Sequence, residues 1–286
     1  MVSVIQKGNV AVITGAAAGI GAAAAKYLSR SGMKLVLLDK NKSSLEEIAG
    51  DLKTDYRLIE GDVADRKTLQ ACHNTAYDAF GQVNLLFNNA GIGRKGGPWT
   101  NLENWRRVME VNLMAIVETQ AIFIPSLLKQ SSPAAVVNLG SKEGITTPPG
   151  NAAYSVSKAG VKVLTEQLAH ELRQLPNHQV TAHLLVPGYT WTLMNFPKAD
   201  FSKPETKPEA PWYPEQLMDF FAKGLENSDF YIIALDNEVT KTMDDRRMRW
   251  ASDDLIYNRP ALSRWDSRYQ DAFADWLAKG ELPKEE

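Results

Sequence analysis

Val10-Ala11-Val12-Ile13-Thr14-Gly15-Ala16-Ala17-Ala18-Gly19-Ile20-Gly21 is the stretch that decides the fold. Five apolar or β-branched residues read as a buried strand, three glycines follow at once, and an alanine-rich helix pattern begins behind them. Glycines belong at such a junction. One allows the tight strand-to-helix turn, and another lets the backbone approach a pyrophosphate at the helix N-terminus. A glycine triplet alone is a weak signal, and an ordinary strand–helix turn is its alternative. Its place between a first strand and a helix strengthens it.

Working outward, short β-rich runs alternate with helical patterns. Further strands are predicted at Lys34–Asp39, Tyr56–Glu60, Val83–Asn88, Ala134–Leu139 and Val180–Val186. Several are nearly continuous in Val, Ile and Leu, as expected of parallel strands covered on both faces. Leu69, Cys72, Ala76, Ala79 and Phe80 illustrate the helical spacing between them. Such alternation predicts a doubly wound α/β domain, with a parallel sheet of about seven strands and helices on both faces. Residues 1–286 are read as a single Rossmann-type domain.

The character changes after Pro187. Prolines at 197, 204, 208, 211 and 214 exclude a regular helix or central strand, which predicts an irregular insertion over 190–228. A helix pattern resumes at Glu215–Leu225, and Phe230–Leu235 is predicted as the last strand. Residues 240–286 mix many charges with Trp250, Trp265, Phe273 and Trp276, the pattern of a helical extension packed on the body.

Bulk properties exclude several classes. The 286 residues are 44% hydrophobic and 23% charged, enough for a core, with net charge −2. That balance gives no footprint for nucleic acid or an anionic membrane surface. A single cysteine, Cys72, rules out an internal disulfide and fits a reducing compartment. No secretory signal is read at the N-terminus, and no apolar stretch is read as approaching the ~18 residues needed to span a bilayer. A cytoplasmic location is expected. His73, His170, His178 and His183 show no metal-ligand spacing, so no metal is expected.

Two further features carry chemistry. Asp39 ends the second strand, eighteen residues beyond Gly21. An acidic residue there accepts hydrogen bonds from the adenosine ribose hydroxyls. It would also repel a 2′-phosphate, by about 4 kcal/mol for a contact pair at intermediate dielectric. NAD is therefore expected over NADP. Tyr154 and Lys158, four apart, share one helical face. Ionising a free phenol at pH 7 costs about 4 kcal/mol, which a nearby cation reduces, so the pair is a plausible general base. A surface helix pair is its alternative.

Together these motifs resemble the short-chain dehydrogenase/reductase family over residues 9 to about 192. The family's glycine motif matches Thr14 to Gly21, including Gly15, Ala18, Gly19 and Ile20. Its adenine-contacting pair matches Asp62-Val63, and its Asn-Asn-Ala-Gly motif matches Asn88-Asn89-Ala90-Gly91. The catalytic asparagine matches Asn112, and the catalytic serine matches Ser141, thirteen residues before Tyr154. Pro187-Gly188 with Thr192 matches the segment that holds the nicotinamide carboxamide, and Thr190 within it counts among the cofactor-binding residues.

The resemblance implies roles. Tyr154 would exchange a proton with the substrate oxygen as a hydride passes to or from the nicotinamide. Lys158 would lower the Tyr154 pKa and bind the nicotinamide ribose. Ser141 would hydrogen-bond the substrate oxygen, and Asn112 would hold a water of a proton relay. The chain departs from the pattern in its long insertion and its extension. In the family the inserted region closes over substrate as a lid, so both departures bear on substrate choice and assembly. Glu143, Tyr189, Trp191 and Phe196 are candidate substrate contacts, and the aromatic lid suits a bulky apolar or aromatic secondary alcohol or ketone. An NADPH-dependent carbonyl reductase and a non-catalytic dinucleotide-binding regulator are the alternatives. The resemblance also implies a homo-oligomer paired through Glu103–Lys129 and Tyr154–Arg173.

Overall fold

The computed structural model describes residues 4–279. In chain order the elements are β1 (Val10–Thr14), α1 (Gly19–Arg30), β2 (Lys34–Asp39), α2 (Lys42–Gly50), β3 (Tyr56–Glu60) and α3 (Arg66–Phe80). Next come β4 (Leu85–Asn88), α4 (Leu102–Met109), a π-helical turn (Glu110–Met114), α5 (Ala115–Leu127), β5 (Ala134–Leu139) and α6 (Glu143–Thr146). The chain continues through α7 (Ala152–Gln174), β6 (Val180–Val186), α8 (Pro214–Glu226), β7 (Tyr231–Ile233), α9 (Lys241–Ile256) and α10 (Gln270–Lys279).

All seven strands pair in parallel in the order β3-β2-β1-β4-β5-β6-β7. The order reverses between β1 and β4, and the crevice beyond the C-terminal ends of those strands is where such sheets bind ligands. The unbroken apolar strands follow from burial on both faces. Ala11, Ile13, Leu35, Leu37 and Phe87 pack against α1 and α8 through Leu28, Leu217 and Phe221. Their neighbours Val12, Val36, Leu38, Leu86 and Val136 pack against α3, α5 and α7 through Leu69, Phe123 and Leu172. Each such aliphatic side chain contributes about 1.5–3 kcal/mol by leaving water, which fixes both the register and the two helical layers.

Three expectations need correction. β4 begins at Leu85 rather than Val83, because the Gln130 side chain takes the Val83 backbone, its Oε1 accepting the Val83 N–H and its Nε2 donating to the Val83 carbonyl. Asn84 keeps its backbone bonds to Val10 and Ala135 and adds side-chain ones: its Oδ1 accepts the Val10 N–H and its Nδ2 donates to the Pro133 carbonyl. β7 covers Tyr231–Ile233 rather than Phe230–Leu235, although ladder bonds flank it: Leu184 N donates to Phe230 O and Ala234 N to Val186 O. The third concerns apolar length. The continuous helical run Leu102–Leu127, 26 residues with mean hydropathy 1.3 over its most apolar window, is long and apolar enough to cross a membrane. Half of that window is buried, against α3, α7 and the sheet, as a core helix requires.

Between β6 and α8 the inserted segment has its own small core. Trp191, 5% exposed, packs its ring 4.6 Å from Phe201 and 5.6 Å from Tyr213. Trp191 N donates to Trp212 O, and Trp212 N to Tyr189 O, pinning the two ends of the segment together. The extension is organised around Trp250, whose indole N–H donates to Ser263 Oγ at 2.7 Å. Phe273 meets its edge at 5.3 Å, and the Arg259 guanidinium lies 4.0 Å over its ring. Residues 280–286 of the extension lie outside the described residues.

Candidate active site

The glycine turn is shaped by close approaches. Gly15 has φ +66°, and a Cβ there would lie 2.8 Å from Ala90 Cα. A Cβ on Gly21 would lie 2.1 Å from the Gly15 carbonyl oxygen, so the first turn of α1 folds back on the loop only with glycine. Ala18 is the N-cap of α1 and makes no side-chain capping bond, which leaves the helix-terminal N–H groups to a ligand. Asn89 braces the loop from β4: its Nδ2 donates to the Thr14 and Gly15 carbonyls, and the Asn89 and Ala90 N–H groups donate to Thr14 Oγ1.

Asp39 sits at the end of β2 against this loop. Its Oδ2 accepts the Ala17 N–H and its Oδ1 the Asn41 N–H, both at 3.0 Å. Asp62 follows β3, where burial works to raise its pKa. The Ala64 N–H and the Arg107 guanidinium outweigh burial and hold the carboxyl below the usual range. Val63 beside it is buried. Across the crevice Thr192 leans on the glycine loop, its Cγ2 3.2 Å from where a Gly19 Cβ would stand. Thr190 is buried, and its hydroxyl donates to the Gly188 carbonyl at 3.0 Å.

The four residues expected to do chemistry come together beyond β4 and β5. Tyr154 is in the first turn of α7, and its phenol stands near the Ser141 side chain, just past the end of β5. The Ser141 hydroxyl accepts the Glu143 N–H at 3.1 Å. Lys158, one turn on and 2% exposed, has its Nζ 5.8 Å from the Tyr154 ring centroid and donates to the Leu139 carbonyl at 2.7 Å. Burial brings its pKa down from 10.5 to about 8.

Tyr154 behaves differently from the sequence expectation. Burial pushes its pKa up to about 12; the nearby Ser141 hydroxyl works downward and Glu143 upward. A phenol with a pKa near 12 is protonated at neutral pH, and a buried lysine of lowered pKa does not reverse this.

Asn112 is fully buried within the π-helical turn that joins α4 to α5. Its Oδ1 accepts the Ile92 N–H at 2.8 Å, and its Nδ2 donates to the Ile92 carbonyl at 2.9 Å and to Ser157 Oγ at 3.1 Å. It thus clamps the loop segment following Gly91 onto α7. The π turn has no residue signature, so the sequence reading missed it, although such turns recur at functional sites. Gly144 was also missed: a Cβ there would lie 2.5 Å from the Lys158 carbonyl carbon, so α6 rests directly on the α7 backbone.

The expected substrate residues divide. Glu143 stands beside Ser141 and accepts from Asn151 Nδ2 at 3.2 Å, with burial raising its pKa. Tyr189 is 44% exposed and stacks near Phe196 with centroids 5.3 Å apart. Trp191 is packed within the inserted segment. It and Phe196 line an open cavity of about 570 Å³ with Asn195, Lys198 and Thr206, and none of Ser141, Tyr154 or Lys158 is part of that wall. Met194, in the inserted segment, lies with its Cγ 3.6 Å from a Cβ position on Gly93 and so faces the loop after β4.

A family model described as short chain dehydrogenase matches residues 9–202 of this sequence. The chain is a short-chain dehydrogenase/reductase. It is an NAD(P)-dependent oxidoreductase acting on CH–OH donors, and its substrates are small molecules. An uncharacterized oxidoreductase of Staphylococcus epidermidis is 35% identical over 168 residues, 58% of this chain and 72% of that protein. A CLA biosynthesis dehydrogenase/reductase of Lactiplantibacillus plantarum is 28% identical over 84% of this chain and 86% of its own. A crystal structure of a short-chain dehydrogenase/reductase from Burkholderia phymatum, in complex with NAD, has a TM-score of 0.80 and 29% identity. That likeness covers 91% of this chain and 97% of the other, so it reaches past β7 into the extension.

Proposed function

We propose that this dehydrogenase/reductase transfers a hydride between NAD(H) and a secondary alcohol/ketone pair, bulky and apolar or aromatic, with Tyr154 as general acid/base. The observation that carries the reading is the Ser141 side chain set against the Tyr154 phenol, one helical turn from a buried Lys158 that donates to the Leu139 carbonyl. Two hydroxyls converge where a substrate oxygen would sit, and the lysine ammonium has donors left for the nicotinamide ribose. The residues present fit the cofactor: an uncapped helix N-terminus behind Gly15, Gly19 and Gly21 suits a pyrophosphate. Gly91, Pro187, Gly188, Thr190 and Thr192 border the same crevice. When bound, the oxidised cofactor supplies the hydride acceptor and a positive ring charge near the phenol.

Within this frame Ser141 orients the substrate oxygen and stabilises charge that develops on it. Tyr154 donates its proton to that oxygen in reduction and recovers it in oxidation. Burial favours the donor role, since a phenol held near 12 is protonated across the neutral range. Lys158 assists by its charge and Asn112 by holding the π turn and the Ile92 loop in place, next to any water relay. Asp39 supports NAD over NADP, because its carboxylate stands at the glycine loop, where a 2′-phosphate would meet like charge. The similar structure in complex with NAD supports the same choice. The apolar lid residues, among them Leu193 and Met194 at about half exposure, support an apolar substrate. Pairing of two copies through α4–α5 and α7 is supported by Met114, Val156 and Val163, each large and 47–53% exposed on those helices.

A screen of aromatic and alicyclic secondary alcohols with NAD and NADP, following absorbance of the reduced nicotinamide, tests this. Reduction of NAD by at least one bulky alcohol, with NADP much the poorer acceptor, is the expected result. Activity confined to NADP, or to small polar alcohols, would overturn it.

A further inference from the structure

Lys142 directly follows Ser141 and opens α6, its carbonyl accepting the Ile145 and Thr146 N–H groups at 3.0 and 2.9 Å. Its side chain leaves the catalytic crevice and runs to the extension. Lys142 Nζ lies 2.5 Å from Asp244 Oδ2 on α9 and 3.9 Å from Asp236 Oδ2 just after β7. The two carboxylates are 7% and 5% exposed, and the Lys142 side chain 22%. Asp236 is also committed to the nicotinamide-side segment: its Oδ2 accepts the Tyr189 N–H at 3.2 Å, and its Oδ1 accepts from Glu238 and Val239. Arg247 lies 3.7 Å from Asp244, and Ile145, Ile233 and Met248 close a small cavity of about 50 Å³ around the group.

We propose that Lys142 is a positioning residue through which the C-terminal extension acts on the active site. One ammonium, held by Asp244 and Asp236, sets the Ser141 loop in register with the segment from Gly188 to Thr192. An exposed pair between such long side chains would fix little. This one is largely dry, a close charge contact in which neither Lys142 Nζ nor Asp244 Oδ2 makes an aligned hydrogen bond, and removing Asp244 leaves the ammonium only the more distant Asp236. The anchor is itself rigid, because α9 is held by the Trp250 cluster. Movement of Lys142 is transmitted to Ser141 by one peptide bond and to Glu143 by the next.

The inference rests on Ser141 contacting substrate, as proposed above, and its test separates the two claims. Three variants are made: Asp244→Asn, Lys142→Arg, and the double Lys142→Met/Asp244→Leu. With an alcohol that the wild type oxidises, Asp244→Asn is expected to lower kcat by roughly 10- to 100-fold, the scale of an ångström-level misplacement of a catalytic group. KM and the dissociation constant for NADH should change little, and Lys142→Arg should keep most of the rate. The double variant should recover the thermal midpoint lost in Asp244→Asn, since apolar replacement of a buried pair is near neutral for stability, but not the kcat. Without any substrate, hydrogen exchange should accelerate at amides 141–147 and 189–192 in Asp244→Asn, while β1, β4 and β5 stay protected. Recovery of kcat together with the midpoint in the double variant would reduce the ion pairs to scaffold and overturn the proposal. So would wild-type exchange at both segments in Asp244→Asn. If the wild type oxidises no alcohol, the substrate reading fails, and the exchange measurement still decides this one.

Discussion

Replacing Lys158 with methionine should change the pH dependence of stability in a direction fixed by burial. The wild-type ammonium is nearly sealed from solvent at 2% exposure, and its pKa falls from 10.5 unfolded to about 8 folded. Below about 8 the folded chain must hold a buried cation, which costs stability. Between about 8 and 10.5 the folded form has released the proton while the unfolded chain still binds it, so stability rises with pH. At ~1.36 kcal/mol per pH unit that interval amounts to roughly 3 kcal/mol. Methionine fills much of the same space without titrating. The assay is urea unfolding of the cofactor-free wild type and Lys158→Met at half-unit steps from pH 7 to 10, read by tryptophan fluorescence. Subtracting the two curves removes titrations common to both. The wild type should gain on the variant steadily above pH 8. Above pH 10 Tyr154 acts with the opposite sign, because a pKa raised from 10.0 to about 12 gives stability that is lost as pH rises through that window. Parallel curves between pH 8 and 10 would refute the buried-ammonium reasoning.

Further outcomes follow from the site geometry. Asn112→Ala should lower unfolding stability by about 3 kcal/mol as well as activity, because it leaves the Ile92 N–H and C=O and the Ser157 hydroxyl without their partner; urea titration checks this, and a loss of activity at unchanged stability would contradict it. Asp39→Ser should improve NADPH binding by about tenfold or more, a 1.4 kcal/mol relief of like-charge repulsion per factor of ten, as measured by quenching of intrinsic fluorescence. Gly21→Ala should abolish detectable cofactor binding, because its Cβ would collide with the Gly15 carbonyl, and isothermal calorimetry with NADH would show this.

The sheet was legible because its signals are local and redundant. Five of the seven strands have the bounds expected; four of them are mostly apolar runs covered on both faces, and the fifth, β3, is a more exposed edge strand. Boundaries slipped where a side chain replaced a strand partner, Gln130 on the Val83 backbone, and at the short edge strand, where hydrogen bonding outlasts the regular element. Ser141, Asn112, Tyr154 and Lys158 were singled out by their register along the chain, and the fold brings them to one end of the sheet. Their energetics were not readable. The sequence suggests that Lys158 eases ionisation of Tyr154, whereas burial dominates both groups and leaves the phenol protonated and the lysine weakened as a cation. Trp191 was a reasonable pocket candidate by type, but an aromatic among aromatics is equally apt to pack with its own segment, as it does with Phe201 and Tyr213. The Lys142–Asp244 pair joins residues a hundred positions apart, and no periodicity announces it.

The most direct test of the central claim is transient kinetics of Tyr154→Phe with NAD and an alcohol that the wild type oxidises. The variant is expected to bind NADH as the wild type does and to keep its fold, while the hydride-transfer rate falls by a factor of about 100 to 10,000, the range that a positioned general acid/base supplies. Turnover at the wild-type rate in Tyr154→Phe would contradict the account.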